Sequence, residues 1–184
     1  MNHCGTKTIE TKRLLLRRLS ADDADAMFRN WASDPDVTKY LTWPPHENAE
    51  ATRSLLADWS AQYENDKYYQ WGIELKEIGE VIGTISVVGM KEDINMAHIG
   101  YCIGKSWWHQ GIMTEALNAV IFFLFNDVCC NRIESRYDVN NPHSGDVMKK
   151  CGMTFEGILR SADKNNQGIC DVGQYAILQS DYFS

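Results

Sequence analysis

Seven apolar residues in the middle of the chain recur at intervals of three and four. They are Met113, Ala116, Leu117, Val120, Ile121, Leu124 and Phe125, and this spacing is typical of one buried face of an α-helix. Such a helix needs a sheet or another helix against it. Runs before and after it alternate apolar and polar residues, the period-two pattern of β-strands. The chain is therefore expected to build an α/β fold around one core.

The period-two runs predict six strands around this helix, after an earlier strand within Ile9–Arg18. Their ranges are Tyr69–Leu75, Val81–Val88, Ala97–Ile103, Arg132–Val139, Phe155–Arg160 and Val172–Leu178. Short turns join the first three of the six, which indicates an antiparallel meander. In Arg132–Val139 the charged residues alternate with apolar or small ones, so one face is expected to be buried.

Three further helices are marked by start and stop signals. Ser20 is the expected N-cap of a helix reaching about Ala32, and a second helix covers roughly Glu47–Asn65. In the last helix Asn141 is expected to act as the N-cap, and Gly152 to end it in a left-handed conformation. The resulting order is β-α-α-β-β-β-α-β-α-β-β.

Length and charge narrow the function classes. The 184 residues suit one domain, 1–184, and the net charge of −7 is spread along the chain. No basic stripe is available for nucleic acid, and the longest apolar run, Ala119–Phe125, is too short for a membrane span. The six cysteines lack the dense spacing of a secreted disulfide framework and no metal-ligand spacing occurs, so we expect a cytoplasmic protein without a metal.

The loop before the central helix is a candidate anion site. A helix start exposes unpaired backbone N–H groups, and Gly111 would let a phosphate approach the chain closely. Neither of the common glycine-rich nucleotide motifs is present. Because the sequence shows no basic patch, backbone dipoles at Gly111 are expected to hold any phosphate there.

Several short motifs appear in a fixed order along the chain. They are Arg13-Leu14-Leu15-Leu16-Arg17, Ile99-Gly100-Tyr101-Cys102-Ile103, the Gly111 loop, Asn141-Pro142-His143-Ser144, Lys150-Cys151-Gly152-Met153 and Glu156-Gly157. Together they resemble the GNAT acetyltransferases, in particular the RimJ/RimL branch of ribosomal-protein N-terminal acetyltransferases. The resemblance implies a mixed, mostly antiparallel, splayed sheet flanked by helices, with acetyl-CoA between the strands ending near Ile103 and Val139. It also allows a homodimer.

The resemblance assigns residues to acetyl-CoA. The implied contacts are Tyr101, Cys102, Ile103, Trp108, His109, Gln110, Gly111, Ile112, Met113, Thr114, Asn141 and Ser144. Trp108 occupies a position that is polar in the family, and Met113 replaces a small residue, so its side chain must point away from the phosphate. Asn141 matches the residue that contacts the pantetheine arm, but the residues themselves favour helix capping as its role, and the two roles are compatible.

The resemblance also suggests the catalytic groups. Ser144 matches the hydroxyl that protonates the departing CoA thiolate. Asp163 lies where the branch carries an acidic base, and His98 is a second candidate because an imidazole has an ordinary pKa near 6.5. Tyr40, Trp43 and Trp71 are expected near the acceptor.

The acceptor itself stays open at this point. Deprotonation at pH 7 costs roughly 1 kcal/mol for an α-amine and more than about 4 kcal/mol for lysine, which favours a protein or peptide N-terminus. A small amine such as a polyamine or an aminoglycoside is the first alternative. A CoA-binding sensor or interaction module without turnover is the second.

Overall fold

Eight strands form a single mixed sheet in the computed structural model, which describes residues 1–184. The strands are β1 (Ile9–Glu10), β2 (Leu14–Arg17), β3 (Gln70–Leu75), β4 (Glu80–Lys91), β5 (Met96–Ile103), β6 (Arg132–Asp138), β7 (Thr154–Asn165) and β8 (Gly168–Leu178). Their order across the sheet is β1-β2-β3-β4-β5-β6-β8-β7, and only β5 and β6 are parallel neighbours. This confirms the mixed, mostly antiparallel sheet expected from the sequence.

Six α-helical segments accompany the strands, and four of them lie where the sequence predicts helices. The six are α1 (Ala24–Met27), α2 (Pro35–Thr38), α3 (Ala49–Gln62), α4 (Ile112–Asn126), α5 (Pro142–Lys150) and α6 (Gln179–Tyr182). The helix expected after Ser20 is present but irregular, since it passes from a 3-10 turn through α1 into a π-helical segment at Phe28–Ala32. No helix has both the length and the apolar character needed to cross a membrane.

The core consists of two apolar clusters. All seven residues of the predicted apolar face of α4 are buried and belong to the larger cluster, between this helix and the sheet. The smaller cluster joins α1 and α3 to β4. Val81 and Ile82 are adjacent in β4 but belong to different clusters, and since neighbouring strand residues point to opposite faces, helices cover both faces of the sheet.

Two expectations about the strands are wrong. The first strand is split, because the chain turns at Thr11 and folds β2 back against β1. In β6 both faces are buried, with Glu134 only 6% and Asp138 only 7% exposed. Hydrogen bonds and ion pairs satisfy these carboxylates, as when Arg132 Nη2 donates to Glu134 Oε2 at 3.1 Å, so a polar residue in this strand does not mark an exposed face.

Candidate active site

A wedge opens in the middle of the sheet. The parallel strands β5 and β6 pair only between Met96–Ile99 and Arg132–Ser135. Beyond this point the two strands diverge, and the register of β4 against β5 also shifts between Val87 and Gly89. The end of β5 therefore has backbone groups on one side without a strand partner, which leaves space for a ligand.

A cavity of about 490 Å³ lies in this wedge. Its walls come from the ends of β5 and β6, the loop 107–114 at the start of α4, the first turns of α5, the segment 40–43 and the tip of the β7–β8 hairpin. Elements from both halves of the chain thus meet at one site.

The loop before α4 turns at Gly111. This residue has φ +71° and immediately precedes the helix, so the first N–H groups of α4 have no intrahelical partner. The Trp108 indole donates to the carbonyl of Ile103 at 2.9 Å, and Trp107 packs against the main core. The two tryptophans therefore attach the loop to the end of β5.

Tyr101 and Ser144 connect the two sides of the wedge. The Tyr101 hydroxyl donates to the backbone carbonyl of Ser144 at 2.8 Å, and the Ser144 hydroxyl donates to Tyr101 Oη at 3.3 Å. Burial raises the pKa of Tyr101 well above its usual value of 10 and outweighs the hydrogen bond from Ser144. Both groups consequently stay protonated at neutral pH, beside the cavity.

His98 and Asp163 face the same cavity from β5 and β7. Burial lowers the pKa of His98 below its usual 6.5, with a smaller contribution from Arg136, while Glu134 and Asp163 act in the opposite direction. The imidazole is therefore neutral at pH 7 and can accept a proton. Asp163 is exposed, and its carboxylate accepts the N–H of Lys164 at 2.7 Å.

The tip of the β7–β8 hairpin is attached to the segment that carries Tyr40 and Trp43. The side chain of Asn166 donates to the carbonyls of Thr38 and Trp43 at 2.8 and 2.7 Å, and its backbone N–H donates to Leu41 at 3.1 Å. These three bonds join two walls of the cavity that are more than a hundred residues apart in the chain.

Asp138 strengthens this connection at the end of β6. Its carboxylate accepts two hydrogen bonds from Asn140 and one from the side chain of Asn165 at 2.7 Å. Burial opposes the charge, but these hydrogen bonds outweigh it and lower the pKa of Asp138. The Asp138 carboxylate therefore holds the tip of the β7–β8 hairpin in place.

The sequence also matches a known family model. The model is described as an acetyltransferase (GNAT) domain, and it covers residues 13–154. The chain belongs to the GNAT acetyltransferase family. It is an acetyl-CoA-dependent N-acetyltransferase related to the ribosomal-protein acetyltransferases.

Individual relatives extend the match over nearly the whole chain. An uncharacterized N-acetyltransferase, p20, from Bacillus licheniformis is 31% identical over 96% of this chain and 98% of its own length. A ribosomal-protein-serine acetyltransferase from Escherichia coli is 29% identical over 74% of this chain and 75% of its own. The crystal structure of a GNAT acetyltransferase from Bacillus anthracis has a TM-score of 0.81 and 25% identity, covering 95% and 99% of the two chains.

Most residues expected to contact acetyl-CoA line the cavity of this GNAT enzyme. They are Tyr101, Cys102, Ile103, Trp108, His109, Gly111, Ile112, Met113, Thr114, Asn141 and Ser144. Met113 is nearly completely buried and packs into the core, so it leaves the loop open. Gln110 does not line the cavity, because its side chain donates back to the carbonyl of Ser106 at 2.8 Å.

Two expectations about individual side chains are wrong. Asn141 precedes α5 but makes no capping hydrogen bond through its side chain, which instead faces the cavity. Trp71 is fully buried against Phe123, and its indole donates to the carbonyl of Lys7 at 2.7 Å. It belongs to the core under α4, whereas Tyr40 and Trp43 do line the cavity.

Two residues that hold the walls of the cavity in place, without lining it, carried no sequence signal of their own. Asn166 reads as an ordinary turn residue, and its contacts across the cavity depend on the tertiary fold. Arg13 belongs to the Arg13-Leu14-Leu15-Leu16-Arg17 motif, but nothing in the sequence connects it to the loop before α4. In the structure its guanidinium donates to the carbonyl of Gln110 at 2.9 Å, so a basic side chain supports the loop from outside the cavity.

Proposed function

We propose that this enzyme acetylates the α-amino group of a protein or peptide N-terminus. The observation that carries the proposal is the position of His98, which lines the same cavity as Asp163 and Ser144 and whose pKa is lowered by burial. Such a base suits an amine that loses its proton easily. An α-amine has an ordinary pKa of about 7.7–8.0, whereas lysine has one of about 10.4.

In the proposed mechanism the amine attacks the thioester carbonyl directly. A nitrogen–carbon bond forms, the carbon–sulfur bond breaks, and the electron pair leaves with sulfur. His98 takes the proton from the amine, and the Ser144 hydroxyl supplies one to the sulfur. The diverging end of β5 carries the backbone groups that polarise the carbonyl, and the helix start at Gly111 binds the phosphates of CoA.

Asp163 has a supporting role in this mechanism. Its carboxylate faces the cavity, so it attracts the cationic form of the acceptor and raises the pKa of His98 partway back. Its own acceptor capacity is shared with the Lys164 N–H, and it is exposed to solvent. We therefore favour His98 over Asp163 as the base.

The pH dependence of the reaction tests this choice. We expect kcat/KM to rise with pH as His98 loses its proton, and because burial lowers its pKa, the rise should be complete below neutrality. Asp163→Asn removes a charge that favours protonated His98, so it should move the rise to lower pH. His98→Gln should abolish the rise and slow turnover by roughly 10²-fold, the lower end of general-base contributions.

A different result would assign the base to Asp163. In that case Asp163→Asn would abolish the pH-dependent rise and turnover together, and His98→Gln would retain the wild-type profile. Both profiles are measured from pH 5 to 8 with the same peptide acceptor. Glu77→Gln, at an exposed position in the turn between β3 and β4, is the matched charge control and should change neither.

The acceptor is tested by CoA release with paired peptides. One peptide has a free α-amine and no lysine, and its partner has a blocked N-terminus and one lysine. We expect release with the first, and release slower by about 10²-fold with the second at pH 7, in line with the difference in deprotonation cost. A polyamine and an aminoglycoside complete the panel.

Two outcomes would contradict the proposal. CoA release with the small amines alone would indicate detoxification or polyamine chemistry. Acetyl-CoA binding without release for any acceptor would indicate a sensor. Thiol release measures turnover, and calorimetry with CoA measures binding, so the two results are distinguishable.

The sheet, the cysteines and the exposed apolar side chains bear on the domain organisation, the compartment and the assembly of the enzyme. We propose that residues 1–184 act as one catalytic domain, since the sheet that forms the wedge extends from Ile9 to Leu178. The six free cysteines suit the cytoplasm as the site of reaction. A homodimer would use the exposed apolar side chains of the edge strand β7, such as Phe155 and Ile158.

A further inference from the structure

The turn between β1 and β2 contacts the loop before α4. Arg13 in this turn donates through Nε to Glu115 Oε2 at 2.6 Å and through its backbone N–H to Oε1 at 2.9 Å. The Thr11 hydroxyl donates to the same Oε1 at 2.7 Å. The Glu115 carboxylate is therefore held from three directions.

The same guanidinium also holds the loop. Arg13 Nη1 donates to the carbonyl of Gln110 at 2.9 Å, and Nη2 lies 3.8 Å from the position that a Cβ on Gly111 would occupy. Arg13 thus connects the first turn of α4, through Glu115, to the residue that precedes the left-handed Gly111. Arginine can make both contacts because its donors lie in one rigid plane.

The chemistry of this contact suits an anion site on the other side of the loop. A hydrogen bond to the Gln110 carbonyl fixes the peptide between Gln110 and Gly111, so it also fixes the direction of the Gly111 N–H. Burial opposes the charge on Glu115, but the hydrogen bonds from Thr11 and Arg13 outweigh it and lower its pKa. Because Glu115 is ionised, it keeps Arg13 oriented.

We propose that Arg13 is a positioning residue for acetyl-CoA, acting with Glu115 to hold the Gly111 loop in the conformation that binds the phosphates. This inference rests on the proposed phosphate site at Gly111. Arg13 does not line the cavity, so it acts through the loop. Its effect should therefore be confined to ligands that carry phosphates.

Calorimetry with CoA tests the proposal without an acceptor. Arg13→Gln removes both contacts, and we expect the Kd for CoA to rise by about tenfold or more, the scale of a hydrogen bond to a charged group. Arg13→Lys keeps the charge but cannot reach Glu115 and Gln110 in one plane, so it should also weaken binding. Glu115→Gln should act in the same direction. Arg29→Gln breaks a comparable exposed pair with Glu80 elsewhere and should have no effect.

An acetyl donor without phosphates distinguishes loss of the Gly111 loop conformation from a general loss of structure. With S-acetylpantetheine, kcat/KM of Arg13→Gln should equal that of the wild type, while kcat/KM with acetyl-CoA falls. Equal losses with both donors, unchanged CoA affinity in Arg13→Gln, or full recovery in Arg13→Lys would overturn the proposal. If Arg13→Gln fails to fold, Arg13→Lys and Glu115→Gln test the same connection. Failure of the wild type to bind CoA would instead contradict the phosphate site itself.

Discussion

Ser144→Ala is expected to lower kcat by roughly 10²-fold while leaving the affinity for acetyl-CoA nearly unchanged. The Ser144 hydroxyl lies at the start of α5, within hydrogen-bond distance of Tyr101 and beside the cavity. Removal of the hydroxyl leaves the backbone carbonyl that Tyr101 binds in place, so the local structure should survive. The loss belongs at the lower end for acid catalysis, because a thiolate with an ordinary pKa of about 8.5 already departs easily.

Steady-state kinetics with varied acetyl-CoA measures this effect, and calorimetry checks the binding. Ser86→Ala removes another hydroxyl from the same cavity and serves as the matched control. Tyr101→Phe removes the partner that orients Ser144, so it should also lower kcat. Full activity of Ser144→Ala with an inactive Tyr101→Phe would show that Tyr101 is the proton donor.

Gly111→Val is expected to remove most acetyl-CoA binding. The residue has φ +71°, a conformation that costs an L-residue on the order of 1–2 kcal/mol and a β-branched one more. The loop would relieve this strain by changing shape, which turns its N–H groups away from the phosphates. The added methyl groups would also approach the Arg13 guanidinium. We expect the affinity for CoA to fall by roughly 10²-fold, as two or more charge-assisted hydrogen bonds are lost.

Gly79→Val is the control for backbone strain. Gly79 has φ +65° in the turn after β3, and a Cβ there would meet no atom within 4 Å. It should therefore lower the thermal midpoint by a similar amount without changing CoA binding. Wild-type affinity in Gly111→Val would show that the loop does not bind phosphate.

The local elements were predictable because their signals lie within short stretches of chain. The apolar spacing of α4 depends only on 3.6 residues per turn, and its seven predicted residues are all buried. Gly152 follows the end of α5 and has φ +78°, the left-handed conformation expected of a glycine just after a helix whose last turn carries two lysines. Propensity and periodicity suffice for such features because the interacting residues are a few positions apart.

The candidate site was only partly predictable for the same reason. Its glycine loop and the Asn141–Ser144 segment are local motifs, and both line the cavity. Capping propensity favoured a hydrogen bond from the side chain of Asn141, but in the structure this side chain faces the cavity. Trp71 has the aromatic character of a binding residue, yet β3 directs it under α4, where burial of its large apolar surface stabilises the core.

The sequence by itself determined the order of the strands and long helices after β2, the face of α4 that is buried and the family to which the chain belongs. Only the tertiary structure decided which distant residues meet, such as Arg13 with Glu115 and Asn166 with Thr38 and Trp43. It also decided that His98 and Asp163 line one cavity. Periodicity records which face of an element is apolar, but it contains no information on strand order. Contacts between residues about a hundred positions apart in the chain arise only when the sheet assembles and places β5 beside β6.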